Sequence, residues 1–314
     1  MTNSAPGQPP LIRARGLTKT FGDRTAVAGI DFEVLDGEFF GFLGPNGAGK
    51  TTTMRMIAGV SPRTAGRLEI LGRDPDRDGS LIRAQIGVVH QQETLDMELS
   101  VRENLLIFGR FFGMPRPSIA ARADELLELF QLADRARDQV EPLSGGMKRR
   151  LSIARSLIAS PRILMLDEPT TGLDPQARHL LWDALQRLKR GGTTIVLTTH
   201  YMDEAEQLCD RLVVMDEAKI VAEGSPRQLI EQHASREVLE LRFPGGTENL
   251  DAAVLEGIGD RYERLAERVI IGCENGEAAH ARALDHGLTP ESWLVRRSSL
   301  EDVFLRLTGR SLDE

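Results

Sequence analysis

The sequence predicts an α/β fold followed by a smaller α+β domain. The apolar runs at residues 39–43 and 163–166 are typical of parallel strands covered on both faces, and each leads through a polar turn towards a helical pattern. After residue 236 the pattern changes, because residues 237–243 alternate between apolar and polar positions. We therefore expect a flexible tail at residues 1–10, a main domain at 11–235 and an accessory domain at 236–314.

Composition limits the function classes. The 314 residues are 41% hydrophobic and 27% charged, with a net charge of -8. This acidic balance argues against a general nucleic-acid binder, which needs clustered Lys and Arg. There is no apolar run of about 18 residues that would span a bilayer, and the first ten residues lack a signal-peptide pattern. Cys209 and Cys273 are the two cysteines, so we expect buried thiols in a cytoplasmic protein.

The segment GPNGAGKTT, between the first apolar strand and a helical pattern, matches the phosphate-loop spacing G-x-x-x-x-G-K-[ST]. Glycines allow successive N–H groups to face a polyphosphate, and the helix N-terminus adds positive charge. The alternative is a glycine-rich turn with a solvated lysine, but the strand and helix on either side favour nucleotide binding. We assign this binding to Gly44, Pro45, Asn46, Gly47, Ala48, Gly49, Lys50, Thr51 and Thr52.

Strand-like alternation extends over residues 11–32 and is interrupted by a turn at residues 20–23. Phe21, in this turn, is equally suited to stacking on adenine and to a place in the core. Further strands are expected at residues 66–72 and 85–90, the second ending at Gln91 and Gln92.

Residues 100–131 have helical periodicity, interrupted by the prolines at 115–118. We interpret this as the start of a helical subdomain at about residues 95–160. The spacing of Phe108, Phe111 and Phe112 predicts that all three belong to its core.

The segment LSGGM begins the next helix. Ser144 is either a simple N-cap or part of a second anion site with the N–H groups of Gly145 and Gly146. The following Lys148, Arg149 and Arg150 are expected on a solvated helix face rather than on nucleic acid.

Polar groups follow two apolar strands at the edge where open α/β sheets place their chemistry. Asp167 and Glu168 end the strand at 163–166, and His200 ends a strand at 193–197. Asp167 suits a Mg²⁺ site, Glu168 suits activation of water, and His200 suits contact with a γ-phosphate.

The remaining elements complete both domains. In the main domain we expect helices at 176–189 and 203–209 and strands at 211–215 and 219–223. Beyond it we expect helices at 226–234, 249–258 and 277–286, strands at 237–243 and 292–297, one strand or a hairpin at 262–273, and a last helix starting at Ser299 and Asp302 and ending at Gly309. No catalytic cluster follows residue 224, which favours a binding, dimerising or regulatory role for the accessory domain.

Taken in order, the phosphate loop, Gln91, LSGGM, LMLDEP, TGLD and the strand-end His200 resemble the ATP-binding cassette (ABC) family. The likeness continues through ENLLIFGRFFGM and SLEDVFLRLTGR, which look like ATPase subunits of bacterial drug and lipo-oligosaccharide exporters. It implies a P-loop NTPase core with ATP and Mg²⁺ as cofactors and ATP hydrolysis coupled to export.

The resemblance also implies residue roles. Phe21 would stack on adenine, with Phe where the family usually has Tyr. His90 is a departure, because many relatives have Pro there. The remaining roles would be catalysis for Glu168, His200 and Gln91, Mg²⁺ binding for Thr51, Gln91 and Asp167, contact with the opposite protomer's ATP for Ser144, Gly145 and Gly146, and a place at the dimer seam for Asp174.

The implied assembly is a homodimer on a separate integral membrane permease, at the cytoplasmic face of the inner membrane. Two chains would lie head to tail, each phosphate loop closed by the other's Ser144. A soluble ABC ATPase acting on ribosomes or DNA is the alternative, but one set of motifs and an acidic net charge disfavour it.

Overall fold

A computed structural model describes residues 9–92 and 94–309 of the chain. Most of the expected tail at residues 1–10 therefore lies outside the described residues. The chain divides into two compact units, the first ending at Glu223 and the second beginning at Gly224. The sequence-based domain boundary at residue 235 stays a prediction. No helix within the described ranges is both long and apolar enough to cross a bilayer.

A six-stranded sheet forms the centre of the first unit, in the order β5-β6-β7-β3-β8-β9. The strands from β5 to β8 pair in parallel, and β3, β6 and β7 are buried along their whole lengths, as the unbroken apolar runs predict. The strands are β3 (Phe39–Leu43), β5 (Ile86–Val89), β6 (Ile163–Asp167), β7 (Thr194–Thr199), β8 (Arg211–Asp216) and β9 (Lys219–Gly224).

A second, three-stranded antiparallel sheet has the order β2-β1-β4. Its hairpin turns where the sequence predicts, with Phe21 opposite Arg24. The apolar faces of β1 and β2 enter one core with β3, in which Phe32, Phe40 and Phe42 pack ring against ring. The strands are β1 (Ile12–Phe21), β2 (Arg24–Val34) and β4 (Ala65–Ile70).

Apart from the helical segment between β5 and β6, four helices of the described residues connect strands of this unit. One of them, α2, was not predicted from the sequence. Asp74 caps it and Pro75 opens it, but the segment PDRDGSLIR contains few apolar residues, and only Pro75 and Ile82 of it are buried. The helices are α1 (Lys50–Ile57), α2 (Pro75–Arg83), α6 (Pro175–Arg190) and α7 (Met202–Leu208).

The helical segment between β5 and β6 contains α3 (Val101–Phe111), α4 (Arg116–Leu129), a 3₁₀ turn at Ala133–Arg135 and α5 (Gly145–Ser156). Ser100 and Glu103 form a reciprocal capping box at the start of α3. The prediction that Phe111 and Phe112 are core residues is wrong, because they are 79% and 40% exposed. They lie at the end of α3, beyond Gly109, the residue of this helix that packs against Ile119 of α4.

The second unit is a four-stranded antiparallel sheet with helices, as the α+β pattern predicts. The sheet order is β11-β12-β10-β13, and residues 262–273 form a hairpin rather than one strand. Its elements are α8 (Pro226–His233), β10 (Glu237–Arg242), α9 (Ala252–Glu256), β11 (Arg261–Arg264), β12 (Arg268–Cys273), α10 (Gly276–Asp285), β13 (Ser292–Arg297) and α11 (Leu300–Thr308). Helix α9 is shorter than expected.

An ion pair fixes the last helix to the sheet. Arg296 of β13 donates from Nη1 and Nη2 to the two oxygens of Asp302 at 2.7 and 2.9 Å, and Asp302 also accepts from the N–H of Ser299. Burial raises the pKa of Asp302, but these hydrogen bonds outweigh it, so the pKa lies below its usual value.

We expect Asp302→Asn to destabilise the second unit by about 2 kcal/mol, because it removes charge-assisted hydrogen bonds. The control is Glu301→Gln, which alters the exposed neighbouring carboxylate. Since the native pKa of Asp302 is lowered, its stabilisation is present above pH ~4 and lost as the pH falls below that value. Chemical denaturation at pH 7 and pH 3 measures this; equal stabilities of the two variants at pH 7 would contradict it.

Candidate functional site

The phosphate loop lies between β3 and α1, at the carboxyl edge of the central sheet. Gly49 has a φ of 104°, and a Cβ at this position would lie 2.5 Å from the carbonyl oxygen of Ala26. Only glycine combines this conformation with this close approach. Helix α1 begins at the next residue, Lys50, so its free N–H groups face the loop.

Lys50 is buried inside the loop it belongs to. Its Nζ donates to the carbonyl oxygens of Gly44 at 2.6 Å and Pro45 at 3.0 Å, and lies 3.8 Å from Oε1 of Glu168. Burial lowers the pKa of Lys50, while the carboxylates of Glu168 and Asp167 oppose that shift. The solvated lysine considered from the sequence is therefore excluded.

A cavity of about 320 Å³ opens beside the loop. Phe21 stands at its mouth with 54% of its surface exposed, and Lys19 Nζ lies 4.7 Å from the ring centroid. This exposure rules out a core position and leaves part of the ring accessible to a base. The cavity is lined by Phe21, Arg24, Ala26, Pro45, Asn46, Gly47, Gly49, Lys50, Thr51, Thr52 and Glu168.

Asp167 ends β6 directly behind the phosphate loop. Its Oδ1 accepts from the hydroxyl of Thr51 at 3.2 Å and from that of Thr198 at 2.5 Å. Thr51 and Asp167, expected to share a metal ion, are thus neighbours. Thr198 was not singled out from the sequence, although its position at the end of β7, two residues before His200, could have indicated it.

Glu168 follows in a strained conformation, with a φ of 46° that is uncommon for a residue other than glycine. Its N–H donates to the carbonyl oxygen of Thr198 at 3.0 Å. Its side chain lies close to the other two predicted catalytic residues. Gln91 Nε2 is 3.5 Å from Oε2 of Glu168, and His200 Nδ1 is 3.4 Å from Oε1 of Glu168. The sequence missed Thr171, whose hydroxyl donates to Oε2 at 3.3 Å.

The signature segment does not join this cavity. Ser144 caps α5, its hydroxyl accepting from the N–H of Met147 at 3.3 Å, and it remains exposed together with Gly145. Gly146 is needed for packing, because a Cβ there would lie 2.8 Å from the Cβ of Ala177. Asp174 is likewise exposed and caps α6. One chain thus supplies a phosphate loop and, elsewhere, an exposed helix N-terminus.

The prediction of a solvated Lys148-Arg149-Arg150 face is wrong for both arginines, each only 7% exposed. Arg150 donates to the carbonyl oxygen of Phe130 at 2.7 Å. Arg149 donates to backbone carbonyls around Glu168. Charge alone could not reveal this, since the partners are backbone atoms far away in sequence.

Helix α7, which follows His200, contains a buried carboxylate, Glu204, that was not singled out from the sequence. Glu204 is fully buried, and burial raises its pKa to about 6. Trp182 of α6 donates from Nε1 to its Oε1 at 3.3 Å. The two helices are thereby joined beneath the catalytic edge.

Known proteins resemble this chain over most of its length. The family model described as "ABC transporter" matches residues 27–171. The chain is 47% identical over 303 residues to Nod factor export ATP-binding protein I of Rhizobium sp. (strain N33), covering 96% of this chain and 98% of that protein. The chain belongs to the ABC transporter family. The same-named protein of Ralstonia nicotianae (strain ATCC BAA-1114 / GMI1000) is 43% identical over 312 residues, 98% of this chain and 96% of that one.

Solved structures show the ABC ATPase fold. The cbiO1 protein of Clostridium perfringens, part of an ABC transporter complex, has a TM-score of 0.67 and 28% identity over 72% of this chain and 92% of that one. A dimeric ATP-binding cassette in a post-hydrolysis state with ADP and Pi has a TM-score of 0.62 and 28% identity over 68% and 98%.

The chain is therefore an ATP-binding and ATP-hydrolysing subunit of the ABC exporter class. The relatives named above are export proteins, and they give no support to the alternative of a soluble ATPase acting on ribosomes or DNA. The residue roles expected from the resemblance remain predictions, now with the geometry described above.

We expect Thr198→Val to lower kcat for ATP hydrolysis about tenfold, because the hydroxyl orients Asp167 beside the phosphate loop. The matched control is Thr194→Val, which removes a buried hydroxyl at the opposite end of β7, where it accepts from the N–H of Gly37. Both variants should lose similar stability, measured by thermal unfolding. A kcat that falls equally in both would show that the effect is structural.

Proposed function

We propose that two copies of this chain form a head-to-tail dimer that binds two ATP molecules and drives export through a separate membrane permease. The observation that supports it is the division of anion-binding groups within one chain. Lys50 and Glu168 lie in the cavity, whereas Ser144 and Gly145 are exposed outside it. A second chain brings its own Ser144 to the open side of the nucleotide.

The proposed residue roles are those that the family resemblance implies, and the distances within the cavity support them. Phe21 stacks on adenine, the loop N–H groups and Lys50 hold the phosphates, and His200 contacts the γ-phosphate. Glu168 orients and deprotonates the attacking water. Gln91, whose Nε2 lies 3.5 Å from Oε2 of Glu168, also contacts this water. The in-line attack breaks the bond between the γ-phosphorus and the oxygen that bridges it to the β-phosphate, giving ADP and phosphate. The contact between the γ-phosphate and the partner's signature segment is then lost, and the dimer opens.

The donor set fits Mg²⁺. This ion is bound in nucleotide sites by one or two protein oxygens together with phosphates and waters, and the Thr51 hydroxyl and Asp167 carboxylate lie 3.2 Å apart beside the loop. Among the described residues there is no cluster of three or more His, Cys, Asp or Glu that could hold a metal ion. When bound, Mg²⁺ neutralises charge on the β- and γ-phosphates.

The permease contact is proposed at the end of α3. Phe111 and Phe112 are exposed there, and both rings pack against Phe108. Arg155 stacks on Phe108 and donates to the carbonyl oxygen of Thr94, in the segment after Gln91. Movement of this apolar surface is thereby linked to the catalytic edge.

This contact places the chain peripherally on the cytoplasmic face of the inner membrane. The relatives export Nod factor according to their names, so a lipo-oligosaccharide or a drug-like molecule is the proposed cargo class. Co-purification of a multi-helix membrane protein encoded beside this chain tests the partner, and its failure to associate with the chain would contradict the proposal.

Glu168→Gln tests the mechanism. The amide keeps the shape but cannot accept the proton of water, so we expect MgATP binding and a stable ATP-dependent dimer with kcat at least about a hundredfold lower. The control is Glu141→Gln, an exposed carboxylate close to the signature segment.

Phosphate release measures turnover, and light scattering with MgATP measures the dimer. Substantial hydrolysis by Glu168→Gln would contradict its role as base. A strictly monomeric variant with bound MgATP would contradict the dimer.

A further inference from the structure

The guanidinium of Arg149 lies buried where three backbone segments meet. Its Nη1 donates to the carbonyl oxygen of His90 at 2.5 Å, and Nε donates to that of Pro169 at 2.9 Å. Nη2 donates to the carbonyl oxygens of Asp167 at 2.8 Å and Glu168 at 3.2 Å. One planar cation thus joins α5, the segment at Gln91 and the end of β6.

Each segment that Arg149 holds carries a group of the hydrolytic site. His90 directly precedes Gln91, while Asp167 and Glu168 are themselves the two carboxylates. The left-handed backbone of Glu168 is strained for a residue other than glycine and needs contacts that hold it. Thr198 holds its N–H from one side, and Arg149 holds its carbonyl from the other.

Arg149 also belongs to the helix that begins at the signature segment. Ser144 caps this helix, and Arg149 lies in its second turn. The helix has 12 residues, so we expect it to move as one body and to carry a displacement of its N-terminus to the guanidinium. The four carbonyl contacts pass that displacement to Gln91 and Glu168 of the same chain.

A purely structural role for a buried arginine is represented by its neighbour. Arg150 has the same 7% exposure on the same helix, but donates to the carbonyl oxygen of Phe130 within the helical segment. Both residues satisfy buried carbonyls with a charged group, yet Arg149 alone of the two contacts the catalytic edge. Comparing them separates loss of stability from loss of positioning.

We propose that Arg149 is a positioning residue for ATP hydrolysis, which couples the signature end of α5 to Gln91 and Glu168 of its own chain. This inference rests on the proposed function. In the dimer, the signature of one chain touches the nucleotide bound by the other. Arg149 therefore makes the catalytic geometry of each site depend on closure of the opposite one.

The test compares Arg149→Met with Arg150→Met in the full chain. Each removes one buried guanidinium. Arg149→Met should lower the melting temperature at least as much as Arg150→Met, because it removes the donor to four carbonyl oxygens rather than one, so kcat is compared well below both melting temperatures. We expect Arg149→Met to lower kcat at least about tenfold while the Kd for MgATP, measured with a fluorescent ATP analogue, changes less than about threefold. Arg150→Met should keep kcat within about threefold of the wild-type value.

Arg149→Lys provides a milder variant if Arg149→Met does not fold. Lysine keeps the buried charge but lacks the planar fork that reaches both the segment at Gln91 and the end of β6. The kcat should therefore still fall at least about threefold. Full kcat in Arg149→Lys, or equal kcat losses in the two Met variants, would overturn the proposal. Failure of the proposed function would be seen separately, as an inactive wild type or an active Glu168→Gln.

Discussion

The buried Lys50 ammonium is the charge around which the rest of the first unit is arranged. Carbonyl oxygens of its own loop hold it, and the carboxylates at the end of β6 lie beside it, so the carboxyl ends of β3 and β6 must lie close together on either side of β7. A buried cation without such partners would be costly. The fully buried strands β3, β6 and β7 make this possible, because they fix the loop, Glu168 and His200 at adjacent ends of one parallel sheet.

The second constraint is that this sheet completes only part of a nucleotide site. The signature residues cap a helix and lie exposed, outside the cavity formed by the loop. Arg149 nevertheless ties that helix to the carboxylate end of β6. In the proposed dimer, this helix therefore presents its exposed N-terminus to the partner's nucleotide and its second turn to the catalytic edge of its own chain.

Sequence reasoning recovered the elements whose signal is local. Unbroken apolar runs gave β3 and β6, the spacing of Gly49 and Lys50 gave the loop, and Ser299 with Asp302 gave the start of α11. It failed where the decisive contact was distant. Arg149 and Thr198 act on backbone or side-chain atoms of other segments, and Phe111 has core-like spacing yet lies beyond the surface that its helix covers. Helix α2 was not predicted because its sequence, PDRDGSLIR, contains too few apolar residues to show a helical pattern.

Cross-linking tests the central claim, that one site needs two chains, most directly. Asn46→Cys and Gly145→Cys would be combined in the Glu168→Gln chain, whose native Cys209 and Cys273 are buried and protected from the reagent. With MgATP, mild oxidation should give a covalent dimer through the two introduced cysteines, and without nucleotide it should give monomers. Monomers under both conditions, or a disulfide formed within one chain, would contradict the account.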